Sequence, residues 1–483
     1  MDAIIKPGKL NGTLAAPPSK SHSHRLLIGA YLAGEPSCAE VPAMSEDIAA
    51  TKECLETLFA GGDETKDIPT LDCRESGSTL RFLLPIAAAL PDSVIPGLAN
   101  SGKLQKLLHG KRRIRFLRSG RLPERPLSPL QEEMERHGVT FKEGADGALT
   151  ISGRMSGGEF TISGGVSSQF ITGLLFALPL TEEGGSIRVT GTLASRPYVD
   201  LTLKVLRDFG IKVMESPFTE DDPEAGADGG FFTALKEKTG TCFTVPGGQQ
   251  YLAPVIPLRP EGDWSNSAFF LVANALGSRV EVTGLSQNSP QGDKIITDII
   301  TGCERYNEAQ AGIKDAGLTS SLGWMPSELL IDAEDIPDLV PILAVLAWGT
   351  GTRMQIIGAS RLRIKESDRL ASVKALMDAL DCPCEVTEDG LLITPHAPQS
   401  APGNAAPGSA AGKAAEAANA AASLNGDCRF VDGMNDHRIV MAAAIAATAC
   451  DRPVRIKGCD AVNKSWPLFF DTFAALGNRV SFS

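Results

Sequence analysis

The sequence lacks the features that mark several protein classes. Ten cysteines include no pair of CxxC motifs, and no cysteine–histidine spacing matches a zinc site. No metal is expected, and, as a separate expectation, no cofactor. Cys54 and Cys450 lie within apolar or helical stretches, and the cysteines read as free thiols in a reducing cytoplasm. No apolar run reaches the roughly 20 residues that span a bilayer. Met1-Asp2-Ala3-Ile4-Ile5-Lys6 has no charged segment leading into a long apolar stretch, so no secretory leader is expected. Positive charge is in deficit: 46 Lys and Arg against 58 Asp and Glu give −12, which argues against a general nucleic-acid binder. Against that acidic background, local clusters of cations become informative. The 483 residues, 43% hydrophobic and 22% charged, otherwise describe a soluble globular chain of two or three domains with sizeable cores.

Pro17-Pro18-Ser19-Lys20-Ser21-His22-Ser23-His24-Arg25 runs into an uncharged apolar stretch, Leu26–Ala33. Two prolines end what precedes, and a polar turn then opens a buried helix. A helix N-terminus offers unpaired N–H groups and partial positive charge, to which Lys20, Arg25 and the serines add donors. An ordinary capped helix start with two exposed cations is the plainer alternative. The pattern recurs, however. Glu75-Ser76-Gly77-Ser78-Thr79-Leu80-Arg81 opens Phe82–Leu90, and Ser167-Ser168-Gln169 opens Phe170–Leu180. Asp263-Trp264-Ser265-Asn266 opens Ala268–Leu276, Ile336-Pro337-Asp338 opens Leu339–Ala347, and Asn435-Asp436-His437-Arg438 opens Ile439–Ala449. Each run is apolar nearly all round, which marks a buried helix.

A second series interleaves with the first: Ser45–Phe59, Leu127–His137, Tyr198–Phe209, Gly292–Thr301, Ser367–Leu380 and Ser465–Leu476. These carry charges at helical spacing, and glycine, a common stop, closely follows most of them. Strand-like segments lie between, including Ser186–Thr190, Arg279–Thr283, Arg353–Ile357, Leu391–Thr394 and Val454–Lys457; residues 1–16 read as a strand and turn. Six units, each with one buried and one amphipathic helix, make a long-period repeat. Crossovers at Ala15–Ser19 and near Val255–Gly262 divide them three and three. One domain holds 18–260; the other holds 1–17 plus 261–483. Two connections make a hinge, and a cleft there is the default ligand site. Three segments read as insertions: basic Pro91–Gly120 as a surface loop, acidic Phe218–Gly230 as another, and Ala397–Asn425 as a low-complexity stretch unable to bury a core.

The densest charge motif is Arg361-Leu362-Arg363-Ile364-Lys365-Glu366-Ser367-Asp368-Arg369, at the start of an amphipathic helix. A salt-bridged helix start capped by Ser367 would explain it structurally. Yet Asn435-Asp436-His437-Arg438, Lys464-Ser465-Trp466-Pro467 and Glu124-Arg125-Pro126 also set cations at or before expected helix starts, where the macrodipole disfavours them. A shared anionic ligand resolves the conflict. Lys20, Arg25, Arg125, Lys365, Arg369, Arg438 and Lys464 together suit a substrate bearing several phosphate and carboxylate groups. Asp338 and Glu366 are the acid–base candidates, since neighbouring cations favour an ionised carboxylate. Asp338 as a simple helix cap stays open at this level.

These residues resemble the EPSP synthase (5-enolpyruvylshikimate-3-phosphate synthase) family, within the enolpyruvyl transferases. The resemblance rests on Lys20-Ser21-x-Ser23-x-Arg25, Ser76-Gly77-Ser78-Thr79-x-Arg81, Glu124-Arg125-Pro126, Ser167-Ser168-Gln169 and Ser195-Arg196-Pro197-Tyr198. Ile336-Pro337-Asp338, Lys365-Glu366-Ser367-Asp368-Arg369, Asn435-Asp436-His437-Arg438 and Lys464-Ser465-Trp466-Pro467 continue it in the family's order. It implies two inside-out α/β barrel-like domains, each of three βαβαββ units, with helix N-termini facing an interdomain cleft. It also implies a monomer that transfers the enolpyruvyl group of phosphoenolpyruvate to the 5-hydroxyl of shikimate 3-phosphate, in the shikimate pathway. Carried over, Lys20, Gly77, Arg125, Gln169, Arg369, Arg438 and Lys464 contact phosphoenolpyruvate. Arg369 and Arg438 take its carboxylate, and Lys20, Arg125 and Lys464 its phosphate. Ser21, Arg25, Ser167, Ser168, Gln169, Ser195, Tyr198, Asp338 and Lys365 hold shikimate 3-phosphate. Arg25 meets its carboxylate, and Ser167, Ser168, Ser195 and Lys365 its phosphate. Asp338 becomes the base and Glu366 the proton donor, with Lys20 and Lys464 assisting.

Departures are local. Arg361 stands where many members carry a smaller, substrate-touching polar residue, and Glu75-Ser76 replaces the Asn-Ala or Asn-Ser common before the glycine. Gly77 itself points towards sensitivity to glyphosate, the family's phosphoenolpyruvate-mimicking inhibitor. The sister enzyme that acts on UDP-N-acetylglucosamine is the alternative. It typically has Lys-Asn in the first motif and a reactive loop cysteine, whereas no cysteine lies between Cys73 and Cys242 here. A non-catalytic anion-binding homologue is disfavoured by retention of both carboxylates and all the cations.

Overall fold

The computed structural model describes residues 1–42, 45–59, 68–90, 113–220, 238–315, 327–396 and 428–483. The chain divides into two compact units. The first comprises Met1–Pro17, Gly262–Ser289 and Asp293–Ser483; the second comprises Pro18–Glu261 and Pro290–Gly292.

Within the Pro18–Glu261 unit, strand Thr70–Asp72 precedes helix Gly77–Ala89 and pairs in parallel with Arg113–Leu117. Helix Leu130–Arg136 follows, then the antiparallel strands Thr140–Glu143 and Leu149–Ser152. In the sheet the fourth strand sits beside the second, with the third outside it. The next repeat has the same order: Gly158–Ser163, helix Ser168–Ala177, Gly184–Thr190, helix Arg196–Asp208, Met214–Glu220 and Lys238–Pro246. A parallel pair needs a crossover connection, and the apolar helix supplies it. Among the described residues the remaining repeat shows helices Lys20–Leu32 and Glu46–Phe59 and a parallel bridge between Ala39 and Leu258.

The other unit repeats this plan. Leu329–Asp332, Met354–Ile357, Leu391–Ile393 and Cys384–Val386 form one sheet, in that order. Arg429–Asp432 and Val454–Lys457 begin another, completed by Asp2–Ile5 and Val480–Phe482, so the first strand of the chain stands where other repeats place their last. Asn11–Ala15 pairs in parallel with Arg279–Thr283, after helix Trp264–Ala275. Residues 1–16 thus supply two strands, not one. The expected α/β class of three repeats per domain holds; among the described residues four repeats show the full βαβαββ order and two show no terminal strand pair. No sheet closes on itself among the described residues.

Helices fill the inside because their sequences leave no polar face. Val340–Ala347 is buried throughout, as is Ile439–Ala447. Helices Trp264–Ala275, Val340–Thr350 and His437–Ala447 pack on one another. In the other unit Gly77–Ala89 packs on Ser168–Ala177, where a Cβ at Gly173 would lie 2.5 Å from the Arg81 carbonyl oxygen. Each fully buried Leu, Ile or Val contributes about 1.5–3 kcal/mol. The interleaved helices bury one stripe, as Val199, Thr202, Val205 and Leu206 do in Arg196–Asp208.

Several local expectations are corrected. Arg113–Leu117, expected as surface loop, is a strand, because Ile114 and Phe116 alternate inward between Arg113 and Arg115. Phe218–Glu220, likewise expected as loop, ends strand Met214–Glu220. Residues 91–112, 221–230 and 397–425 of the three insertions lie outside the described residues. The helix expected over Leu127–His137 shortens to Leu130–Arg136, since Pro129 disfavours helical geometry at Ser128. Gly302 does not stop its helix, which runs from Ile296 to Asp315; Ile296, Ile299 and Cys303 continue the buried stripe, against about 1 kcal/mol for a helical glycine. Among the described residues no helix is long and apolar enough to cross a membrane.

Candidate active site

In the Pro18–Glu261 unit the expected groups gather at three helix starts. The Ser19 side chain caps Lys20–Leu32, Ser76 caps Gly77–Ala89, and Ser167 caps Ser168–Ala177. Lys20 Nζ lies 3.0 Å from Asp47 Oδ2, with both side chains largely buried. Arg25 is buried beside the Phe82 ring. Its Nε donates to Thr202 Oγ1 at 2.8 Å, its Nη1 to the Ser21 carbonyl at 2.6 Å and its Nη2 to the Tyr198 carbonyl at 3.0 Å. Burial pulls its pKa down to about 9, opposed by Tyr198. These bonds bring Ser21, Arg25 and Tyr198 together. Ser195, buried at the start of Arg196–Asp208, holds φ at 58°, an uncommon left-handed setting for a non-glycine residue.

Gly77 meets two guanidinium groups. A Cβ there would fall 2.7 Å from Arg125 Nη1 and 2.8 Å from Arg81 Nη1. Arg81 is buried against Phe170 and donates to Gln169 Oε1 at 2.9 Å and to the Pro126 carbonyl at 3.2 Å. Gln169 Nε2 in turn donates to Ser78 Oγ at 2.9 Å. Arg81 thereby fixes the amide orientation of Gln169 and the loop carrying Arg125.

In the Gly262–Ser483 region the charges form a tighter cluster. Arg369 opens helix Arg369–Ala379 with a side chain 1% exposed. Nη1 donates to Asp338 Oδ1 at 2.9 Å, Nη2 to Glu366 Oε2 at 2.8 Å and Nε to Asp436 Oδ2 at 3.0 Å. Arg438 Nη2 reaches Asp338 Oδ2 at 3.3 Å. Lys464 Nζ donates to the Asn435 carbonyl at 2.9 Å. Burial pushes the Asp338 pKa up, but Arg438, Arg369 and Lys365 outweigh it and hold the carboxyl well below its usual range. The half-buried Lys365 ammonium is pushed down to about 8 by burial, against the pull of Asp338 and Glu366.

Two structural readings of these motifs fall away. Asp338 caps no helix: Leu339 holds the N-cap position of Val340–Thr350 without a side-chain bond. Ser367 is not the cap either; Asp368 accepts from the Ala371 N–H, and Ser367 Oγ donates to Asp436 Oδ2 at 3.0 Å. Lys464 ends the short turn Cys459–Lys464 and does not start a helix, because Pro467 keeps Trp466 from helical geometry and the helix begins at Phe469. Sequence reasoning missed Asp47, Arg81 and Asp436 as site members. Arg81 and Asp436 stood inside motifs already singled out, four residues after Gly77 and two before Arg438. Nothing in the sequence pairs Asp47 with Lys20.

The cluster supplies an ionised carboxylate held by arginines, while the other unit supplies cations, hydroxyls and a glycine packed against two guanidinium groups. Comparison with known proteins gives consistent matches. The family model described as EPSP synthase (3-phosphoshikimate 1-carboxyvinyltransferase) matches residues 4–222 and 233–473. A 3-phosphoshikimate 1-carboxyvinyltransferase of Clostridioides difficile is 33% identical, covering 99% of this chain and 97% of its own length. Another, from Clostridium novyi, is 34% identical over 99% and 97%. The solved EPSP synthase of Acinetobacter baumannii shares the fold at a TM-score of 0.61 and 18% identity, with each chain covered in full.

Proposed function

Because the chain belongs to the EPSP synthase (3-phosphoshikimate 1-carboxyvinyltransferase) family, we propose that it transfers the enolpyruvyl group of phosphoenolpyruvate to the 5-hydroxyl of shikimate 3-phosphate, releasing phosphate. The observation that carries this reading is Asp338 held ionised by Arg369 and Arg438. It puts a base and a carboxylate clamp in one cluster.

Asp338 takes the proton of the 5-hydroxyl, and the oxygen attacks C2 of phosphoenolpyruvate as Glu366 protonates C3. The tetrahedral intermediate then loses a C3 proton and phosphate, restoring the double bond. Arg369 and Arg438 hold the phosphoenolpyruvate carboxylate. Lys20, Arg125 and Lys464 hold its phosphate, with Lys20 and Lys464 assisting proton transfer, and Gly77 and Gln169 complete its pocket. Ser21, Arg25, Ser167, Ser168, Gln169, Ser195, Tyr198 and Lys365 hold shikimate 3-phosphate. Charge-assisted hydrogen bonds contribute about 1.5–3 kcal/mol each, so losing one is a measurable defect. All ten cysteines are free thiols, which suits a reducing cytoplasm.

Gly77→Ala is expected to raise KM for phosphoenolpyruvate about tenfold or more, equivalent to about 1.4 kcal/mol. KM for shikimate 3-phosphate should shift less, because the atom nearest the new methyl belongs to Arg125, which is assigned to phosphoenolpyruvate only. Steady-state kinetics with each substrate varied would check it; equal shifts in both would disprove the pocket assignment.

The reading is tested by phosphate release from phosphoenolpyruvate with each acceptor in turn. Release is expected with shikimate 3-phosphate and not with UDP-N-acetylglucosamine. Release only with the latter would overturn the acceptor.

A further inference from the structure

Asp293 has no role in the groups assigned above. It lies in the turn Gly292–Ile295 that opens helix Ile296–Asp315, and it is 3% exposed. The Ser265 hydroxyl, in the first turn of helix Trp264–Ala275, donates to Oδ2. Oδ1 is buried and has no hydrogen-bond partner among the described residues. Three charged groups act on this carboxyl: Asp338, Arg438 and Asp263.

We propose that Asp293 is a positioning residue for enolpyruvyl transfer, joining the Ser265 turn to the Gly292–Ile295 turn and leaving Arg438 committed to Asp338 and the phosphoenolpyruvate carboxylate. This rests on the assignment of Arg438 to that carboxylate. An ionised Asp293 would compete for Arg438 and repel Asp338. Burial first, then Asp338 and Asp263, push its pKa well above the carboxylate range, and the pull of Arg438 does not offset them. That direction favours the neutral acid. Two carboxyls are driven in opposite directions, Asp338 towards the ionised form and Asp293 towards the neutral one. A buried carboxylate with one oxygen unbonded would be costly, whereas the neutral acid lowers that cost.

The test uses the full chain and the variants Asp293→Asn and Asp293→Ala. Asn keeps the shape, the bond from Ser265 and the neutrality, so kcat and both KM values should stay within about twofold of wild type. Ala removes the bond, so KM for phosphoenolpyruvate should rise about tenfold while KM for shikimate 3-phosphate stays within about twofold. If Ala does not fold, Ser265→Ala breaks the same bond and should shift the same KM. The infrared difference between wild type and Asp293→Asn at neutral pH should carry a protonated-carboxyl C=O stretch. An ionised-carboxylate band, an Asn variant as impaired as Ala, or an unchanged phosphoenolpyruvate KM in the Ala variant would overturn the proposal. A shift in the shikimate 3-phosphate KM alone, with the protonated band present, would overturn the Arg438 assignment and the positioning role with it.

Discussion

Asp338→Asn is expected to lower kcat by about 10²–10⁴-fold, the range a positioned general base contributes. Asn preserves the shape of a side chain bonded to Arg369 Nη1 at 2.9 Å and Arg438 Nη2 at 3.3 Å, but it cannot accept the substrate proton. KM for phosphoenolpyruvate should not rise, because both arginines lose a competing carboxylate. The sign of the pKa shift matters. Asp338 is held below the usual carboxylate range, so it stays ionised as pH falls through that range and does not set the acid limb near neutrality. Lys365, pushed down to about 8, loses its charge as pH rises through that value, so kcat/KM for shikimate 3-phosphate should fall there. Asp338 is one of the groups that pulls the Lys365 pKa back up, so the Asn variant should show this limb at lower pH. Steady-state kinetics across pH measures both effects. Turnover in the Asn variant within about threefold of wild type would remove Asp338 as base.

Asp436→Ala is expected to cost about 3–5 kcal/mol of stability, the penalty for stripping a partner from a buried ion pair. Asp436 is 0% exposed and accepts from Ser367 Oγ, from Arg369 Nε and Nη2, and from the Arg438 N–H at 2.9 Å. Removing it uncaps helix His437–Ala447 and leaves the buried Arg369 Nε unpaired, while Asp338 and Glu366 still hold the other nitrogens. The melting transition should fall by about 10 °C. KM for phosphoenolpyruvate should rise as well, because Arg369 and Arg438 both lean on this carboxylate. Glu366→Gln is the comparison: Glu366 is 23% exposed, and Gln keeps an oxygen that can accept from Arg369 Nη2, so its stability cost should stay near 1 kcal/mol or below, roughly the value of a solvent-touched pair. Calorimetry of both variants decides the matter. A loss in Asp436→Ala no greater than in Glu366→Gln would show that the cluster is not built on Asp436.

The sequence showed the inside of the fold better than its edges. Val340–Ala347 and Ile439–Ala447 have no polar face, so they have nowhere to go but inward. Cations at helix starts violated the macrodipole rule, and that violation marked Arg369 and Arg438 as functional without showing what balances them. The balancing groups were illegible. Asp47 lies 27 residues from Lys20, and Asp436 lies 67 from Arg369. Such pairing depends on how the repeats fold together, which no local period encodes. Asp338 illustrates the limit: cap and site member look alike in sequence, and only its bonds to two arginines, with Leu339 at the N-cap position, separate them. Arg113–Leu117 was misread because its two buried residues are too few to stand out beside the basic ones.

The most direct measurement is NMR of phosphoenolpyruvate and shikimate 3-phosphate incubated with the purified protein. Phosphorus spectra should show phosphoenolpyruvate converted to inorganic phosphate. Proton spectra should show an equal amount of carboxyvinyl ether on the 5-oxygen, and none of it should form in the Asp338→Asn variant on the same timescale. Phosphate appearing without the ether would mean hydrolysis in place of transfer, and ether formation undiminished in the variant would contradict the base assigned to Asp338.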